Sequence, residues 1–127
     1  MKNRCLRERV GFALEGWRAG WRREASFRAQ VVGAGVALVA LFLLWPAPIW
    51  WGLVTLVIGL ILALELFNAA LEALIDLLHP SYHPEIKAMK DMSAGAVLLL
   101  SVASLVIGGV MVVDRAPAKL AQWGIIR

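Results

Sequence analysis

One stretch of this chain carries no charged residue for an unusual length, and it limits what the protein can fold into. Residues 29–64 are 36 uncharged, mostly apolar residues. As a single helix they would be about 54 Å long, whereas the hydrocarbon core of a bilayer is about 30 Å thick. The stretch must therefore turn back on itself. The sequence Trp45-Pro46-Ala47-Pro48 predicts that turn, because proline removes a backbone donor and disfavours helical geometry in the residue before it.

A further apolar segment completes a protein that crosses the membrane three times. Residues 92–113 are 22 residues without a charge. Across the chain 61% of residues are hydrophobic and 17% are charged, which is too apolar for an ordinary soluble domain. We therefore predict an all-α integral membrane protein with spans at 29–45, 50–74 and 92–113. A loop over 75–91 joins the second and third spans.

The segment before the first span has a different pattern. Residues 1–28 alternate basic and apolar residues at helical spacing. One face of this helix carries the larger apolar residues: Leu6, Val10, Leu14, Trp17 and Trp21. Such a segment is typical of an amphipathic helix that lies on the membrane surface, with tryptophans in the headgroup layer and arginines near anionic lipids.

The distribution of positive charge predicts the topology. Of 13 Lys and Arg residues, eight lie in residues 1–28, two in the 75–91 loop and three in the tail 114–127. Because basic segments next to spans are retained in the cytoplasm, we expect the N-terminus and the loop to be cytoplasmic and the tail to be periplasmic. Topology accounts for the net charge of +4, so we expect no nucleic-acid partner.

The second span carries a polar stripe. Glu65, Asn68, Glu72 and Asp76 follow one another at intervals of three or four residues. At about 100° per residue they fall within roughly 80° of one another on the helix surface. An ionisable residue at the centre of a bilayer costs about 2.5 to 3.5 kcal/mol on insertion scales. Three acids on one stripe therefore need a compensating partner, and a bound cation is a suitable one.

Other charged or titratable residues lie close to the same membrane surface. Lys90 and Asp91 directly precede the third span and add a phosphate-binding ammonium group and a further carboxylate. Glu24 stands among arginines, and its spacing alone favours an ordinary surface ion pair. A proline follows both His79 and His83, so a loop is favoured there over a zinc-binding pair.

These segments together resemble a known family. The run Glu-Leu-Phe-Asn-Ala-Ala-Leu-Glu-Ala-Leu-Ile-Asp over 65–76, then His83 and Lys90-Asp-Met-Ser-Ala-Gly-Ala-Val, closely resembles the small prokaryotic diacylglycerol kinase family. With Glu24-Ala-Ser-Phe-Arg, the resemblance covers about residues 3–112. It implies a homotrimer of three-span subunits in the bacterial inner membrane. It also implies that MgATP phosphorylates a lipid alcohol in active sites shared between subunits.

The resemblance also implies roles for individual residues. Glu65 matches the proposed general base, and Glu24 and Glu72 match the carboxylates that bind Mg²⁺. Five residues match positions close to the nucleotide: Asn68, Asp76, His83, Lys90 and Asp91. For Glu24 this reverses the expectation from its local spacing.

The identity of the acceptor divides the family into two branches. The segment beginning at Glu24 resembles the branch that acts on diacylglycerol, and we expect diacylglycerol to be converted to phosphatidic acid. Residues 2–4, 12–14 and 90–98 resemble the branch that acts on undecaprenol, which is the alternative. Gln30 replaces the acid or histidine often found at its position, and Phe12 stands where the diacylglycerol branch tends to have tyrosine.

Two other classes of function are compatible with buried acids. In a small cation- or proton-coupled transporter, Glu65 and Glu72 would line an oligomeric pathway. The transporter hypothesis does not explain why Glu24, Lys90 and Asp91 lie at the same depth near the cytoplasmic membrane surface. In a non-catalytic membrane scaffold the acids would bind basic partners, and nucleotide-dependent thermal protection would count against this.

Overall fold

The computed structural model describes residues 4–126, which form four helices and no strand. The helices are α1 (Leu6–Arg23), α2 (Ala25–Leu44), α3 (Pro48–Leu78) and α4 (Pro84–Gln122). The all-α prediction is confirmed. The last three helices are long and apolar enough to cross a membrane.

The ends of α1 match its charge pattern. The Cys5 N–H donates to the Glu8 carboxylate at 3.2 Å, and Arg22 and Arg23 lie in the last turn. An acid at the start and bases at the end both interact favourably with the helix dipole. Glu24 is extended, with φ −111° and ψ 115°. It is the single residue that joins α1 to α2, so α1 ends before the boundary predicted at residue 28.

The turn between α2 and α3 forms where the prolines predict it. Trp45 adopts the left-handed conformation (φ 44°), and its N–H donates to the Leu41 carbonyl at 2.9 Å. Pro46 follows and is buried. Pro48 is the first residue of α3, a position where a helix has no use for the missing N–H. Arg115 of α4 donates to the Trp45 carbonyl at 3.4 Å, which ties α4 to this turn.

The loop predicted over 75–91 is wrong in extent. Only residues 79–83 lie between α3 and α4, and we call this segment the linker. Pro84 begins α4 instead of ending a helix, since proline is tolerated in the first helical turn. Lys90 forms an ion pair with Asp76 of α3, so the two helices extend together beyond the apolar segments.

The tail predicted over 114–127 is mostly helical as far as the structure describes it. α4 continues to Gln122 and contains Pro117. Its last two turns contain alanine, lysine and leucine, which have high helix propensity, whereas a proline inside a helix costs about 3 kcal/mol. The helix ends before Gly124, whose φ of 72° is a left-handed conformation typical of helix C-termini.

The core is small and lies in two places. One cluster is near the α1–α2 joint and comprises Phe27, Ile61 and Leu62. The other is near the α2–α3 turn and comprises Leu41, Val54 and Met111. Only 6% to 22% of the residues in the three most apolar helical windows are buried within the chain. Most of the apolar surface therefore faces outward, as expected where lipid is the solvent.

Candidate active site

Glu65 is the one charged residue among those described that is buried, at 2% exposure. It lies on α3, and the Ser26 hydroxyl of α2 donates to its Oε2 at 3.0 Å. No cation lies within ion-pair distance of it among residues 4–126. A buried carboxylate that is oriented by a hydrogen bond and not neutralised by a base is suited to accept a proton.

Two further groups of the polar stripe are linked to each other and to α4. The Asn68 Nδ2 donates to Glu72 Oε1 at 3.2 Å. The Ser93 hydroxyl donates to Asn68 Oδ1 from α4. Glu72 therefore has a neutral hydrogen-bond partner and, among the described residues, no cationic one. Its charge is available for an ion from outside the chain.

Two other acids of the predicted site, Asp76 and Asp91, are already paired with lysines. Lys90 of α4 contacts Asp76, and Lys87 contacts Asp91 one turn along the same helix. These pairs are exposed, with 65% exposure at Asp76 and 63% at Asp91. Exposed pairs contribute at most about 1 kcal/mol, so an incoming phosphate can replace a carboxylate as the partner of Lys90.

Glu24 occupies the joint between α1 and α2 and is half-buried. With Arg23 it lines a cavity of about 490 Å³ between α1 and α3. On the α3 side the cavity is lined by small residues together with one leucine: Leu66, Ala69, Ala70 and Ala73. Glu72 is not among the lining residues. This cavity is therefore lined by the residue Glu24 and not by Glu72.

His83 acts locally as a helix cap. Its Nδ1 accepts a hydrogen bond from the Glu85 N–H at 3.2 Å, at the start of α4. The rings of His79 and His83 have centroids 6.4 Å apart. Across residues 4–126 no three His, Cys, Asp or Glu side chains are placed to hold a metal ion together.

Comparison with known proteins identifies the family. A model described as prokaryotic diacylglycerol kinase matches residues 11–112 of the chain. The chain belongs to this family. The resemblance predicted from the sequence is confirmed, and membership makes the protein a lipid kinase whose long apolar helices are membrane spans.

Individual relatives in the family differ in their named acceptor. An undecaprenol kinase of Bacillus subtilis is 39% identical over 87 residues, covering 68% of this chain and 71% of that protein. A diacylglycerol kinase of Synechocystis is 34% identical over 99 residues, covering 77% and 57%. The diacylglycerol kinase of Escherichia coli K12 is 31% identical over 97 residues, covering 76% and 80%.

Three contacts in this lipid kinase were not predicted from the sequence. Ser26 binds Glu65, Ser93 binds Asn68, and Lys87 pairs with Asp91. All three residues lie inside or next to the segments that carry the family resemblance. The two serines are short polar side chains in apolar surroundings, which is a weak signal. Their partners are on other helices, so spacing along one helix does not reveal them.

Proposed function

We propose that the protein transfers the γ-phosphate of ATP to the hydroxyl of diacylglycerol and forms phosphatidic acid at the cytoplasmic face of the bacterial inner membrane. The observation that carries this proposal is the Glu65 carboxylate. It is buried in an apolar helix, oriented by Ser26, and has no cationic partner among residues 4–126. A buried carboxylate in a membrane span is energetically costly, which indicates a functional role. Removing a proton from a lipid hydroxyl is such a role.

The chemistry divides among the named residues as follows. Glu65 accepts the hydroxyl proton while the lipid oxygen forms a bond to the γ-phosphorus. The bond from that phosphorus to the β–γ bridging oxygen breaks, and ADP leaves with the electron pair. When the nucleotide binds, Lys90 leaves Asp76 and contacts the phosphates. There it stabilises their negative charge. Phosphoryl transfer depends chiefly on positioning and charge neutralisation of this kind.

Mg²⁺ is the cofactor that we propose, and Glu24 and Glu72 are the residues that would hold it. Both are carboxylates without a cationic partner among the described residues, and hard oxygen donors suit Mg²⁺. Bound Mg²⁺ would neutralise charge on the phosphate oxygens. A kinase site of this type uses one or two carboxylates and completes the coordination shell with phosphate and water. Residues 4–126 of one chain hold no group of three such ligands, and this arrangement does not require one.

Four other residues are proposed to act close to the nucleotide: Asn68, Asp76, His83 and Asp91. Asn68 orients Glu72, while Asp76 and Asp91 each hold a lysine. His83 fixes the start of α4, on which Lys90 and Asp91 lie. In these roles the residues shape the phosphate-binding end of the site.

We propose a homotrimer with sites shared between subunits, and a cytoplasmic N-terminus. The support for assembly is that Glu24 lines a cavity to which Glu72 does not contribute and that residues 4–126 hold no group of three possible metal ligands, so a neighbouring subunit can supply the missing carboxylate. The support for orientation is the concentration of Lys and Arg in residues 1–28. α1 would lie on the membrane surface, since Leu6 and Trp17 remain 74% and 51% exposed in the chain.

Undecaprenol is the second candidate acceptor. The observation that favours it is the 39% identity to the undecaprenol kinase of Bacillus subtilis, against 31% and 34% to the diacylglycerol kinases. Family membership gives no support to a transporter.

The decisive experiment offers both acceptors to the purified protein. Phosphate transfer from labelled ATP is measured in mixed micelles that contain diacylglycerol or undecaprenol, with and without Mg²⁺. A Glu65→Gln variant is the matched control, because the amide has the same shape and cannot take the proton. We expect labelled phosphatidic acid from the native protein only. Labelling of undecaprenol alone would show that undecaprenol, and not diacylglycerol, is the acceptor. Labelling of neither lipid would refute the kinase proposal.

A further inference from the structure

The three serines of α4 use their hydroxyl groups differently. Ser101 donates to the Val97 carbonyl at 2.9 Å, and Ser104 donates to the Leu100 carbonyl at 2.7 Å. Both are bonds to the preceding turn, which is the ordinary arrangement for serine inside a helix. Ser93 donates instead to the Oδ1 of Asn68 on α3. The Ser93 hydroxyl therefore forms a hydrogen bond to the neighbouring helix α3.

The Asn68 side chain has only one favourable orientation here. A carboxylate accepts hydrogen bonds and does not donate them, so the Asn68 amide must present its NH₂ to Glu72, as it does at 3.2 Å. The Asn68 oxygen then points the opposite way and requires a donor. Ser93 supplies that donor. The three groups form a directed chain of hydrogen bonds that ends on Glu72.

The surroundings make this orientation energetically important. Asn68 and Ser93 are the polar residues in the lining of a groove of about 430 Å³ between α3 and α4. The rest of the lining is apolar: Leu64, Phe67, Leu71, Ile75, Met89, Met92 and Ala96. In apolar surroundings hydrogen bonds are stronger, and an amide oxygen without a donor is costly.

We propose that Ser93 is a positioning residue that acts through Asn68 to hold the Glu72 carboxylate ready for Mg²⁺. The proposal rests on the proposed function, which gives Glu72 its metal role. Without the Ser93 hydroxyl, the Asn68 oxygen loses its donor in an apolar groove, so the Asn68 side chain can leave its position to reach another donor. The Asn68 NH₂ then no longer bonds to Glu72, and the Glu72 carboxylate loses the contact that orients it for the ion. Partners of this kind change metal affinity by about 10- to 100-fold when they are removed.

The test compares Ser93→Ala with Ser104→Ala. Ser104 is the matched control, because it lies on the same helix and, among residues 4–126, its hydroxyl bonds only to its own helix. The Mg²⁺ dependence of kinase activity is measured at saturating ATP and lipid. A second readout without turnover is thermal protection by Mg²⁺ with a non-hydrolysable ATP analogue. For Ser93→Ala we expect the half-saturating Mg²⁺ concentration to rise by about 10-fold in both assays, with near-native kcat at saturating Mg²⁺.

Further variants separate positioning from a merely structural effect. Ser93→Thr keeps the hydroxyl and should restore the native Mg²⁺ dependence, while Ser93→Cys offers a weak donor and should give an intermediate shift. In an Asn68→Ala background the chain of hydrogen bonds is already broken. There Ser93→Ala should cause no additional loss of thermal protection.

The outcomes distinguish this inference from the proposed function. If Ser93→Ala and Ser104→Ala have the same Mg²⁺ dependence while the native protein phosphorylates lipid, the positioning role is refuted and the kinase proposal stands. If the native protein phosphorylates no lipid but Ser93→Ala still weakens protection by Mg²⁺, the kinase proposal is refuted and the positioning role stands. An equal loss for Ser93→Ala and Ser93→Thr refutes the role of the hydroxyl.

Discussion

At the scale of single residues, the charge of Glu72 is the feature most open to direct test. One of its oxygens accepts from Asn68, and it has no cationic partner among residues 4–126. Glu72→Gln keeps the shape and removes the charge that would bind Mg²⁺. We expect kinase activity to fall by more than about 100-fold, since even outer partners of a metal ligand are worth 10- to 100-fold. Thermal stability without ligands should change little. Near-native turnover at ordinary Mg²⁺ would contradict the metal role.

A second residue-scale prediction concerns Lys90, which contacts Asp76 in the structure. Lys90→Met removes the ammonium group and keeps most of the side-chain volume. We expect the KM for ATP to rise by about 10-fold or more, because a charge-assisted phosphate contact is lost. The KM for lipid should stay unchanged. Lys119→Met is the control, since Lys119 lies near the other end of α4. Unchanged ATP kinetics would leave Lys90 with a role in topology only.

The sequence predicts some members of the candidate site better than others, and the reason is geometric. Glu65 and Glu72 share a helix, so the period of 3.6 residues places both on one face. Ser26 and Ser93 reach that face from α2 and α4, and only the packing of the helices brings them there. The family resemblance predicts that His83 lies close to the nucleotide. The hydrogen bond that His83 accepts from the Glu85 N–H depends on local backbone geometry, which the resemblance does not describe.

At the scale of helices, the positions of the prolines explain which boundaries could be predicted. Pro46 follows an established helix, so the sequence predicts the break at the correct place. Pro84 opens a helix, whereas the polar residues after it favour a loop when only the sequence is considered. Charge marks where the apolar segment stops, and a helix can continue beyond that point. The same error placed a tail after residue 113, where α4 continues to Gln122.

The contact between α1 and α3 depends on one glycine. Gly20 is buried, and a Cβ there would lie 2.5 Å from Leu66 Cδ2 and 3.4 Å from Phe27 Cδ1. Gly20→Val should therefore push α1 away from α3 and displace Glu24, which follows four residues later. We expect a destabilisation of about 1–3 kcal/mol together with a loss of kinase activity. Thermal unfolding in detergent and the lipid kinase assay measure both effects.

A valine on the same helix provides the control for helix propensity. At Gly11 a Cβ would meet nothing within 4 Å, so Gly11→Val changes the intrinsic preference for helix without a clash. Both variants replace glycine by valine inside α1. If the two lose stability and activity equally, the close approach at Gly20 does not position Glu24.

At the scale of the whole molecule, one chain has too few packed helices to bury its acidic side chains. Among residues 4–126 the buried side chains are six hydrophobic core residues, Pro46 and Glu65, and most large apolar residues of α2 and α4 face outward. Lipid satisfies an apolar surface but not an exposed carboxylate. Glu72 and Asp76 are not buried in the chain. Association with further copies is therefore the arrangement that we propose for covering the stripe.

Shared sites lead to a prediction about mixed assemblies. Glu24 lies at the joint between α1 and α2, Glu65 lies on α3, and each is proposed to be essential. Glu24→Ala and Glu65→Ala should each be inactive alone. When the two are co-assembled at equal amounts in a closed ring, about one site in four draws an intact Glu24 and an intact Glu65 from adjacent chains. We expect activity near that fraction of the native level, with the composition of the assemblies confirmed by mass. Glu65→Ala mixed with Glu65→Gln is the control and should stay inactive, because no mixed site then contains the base. Mixed Glu24→Ala and Glu65→Ala assemblies that are no more active than either parent would show that both residues act within one chain, and sharing would be refuted.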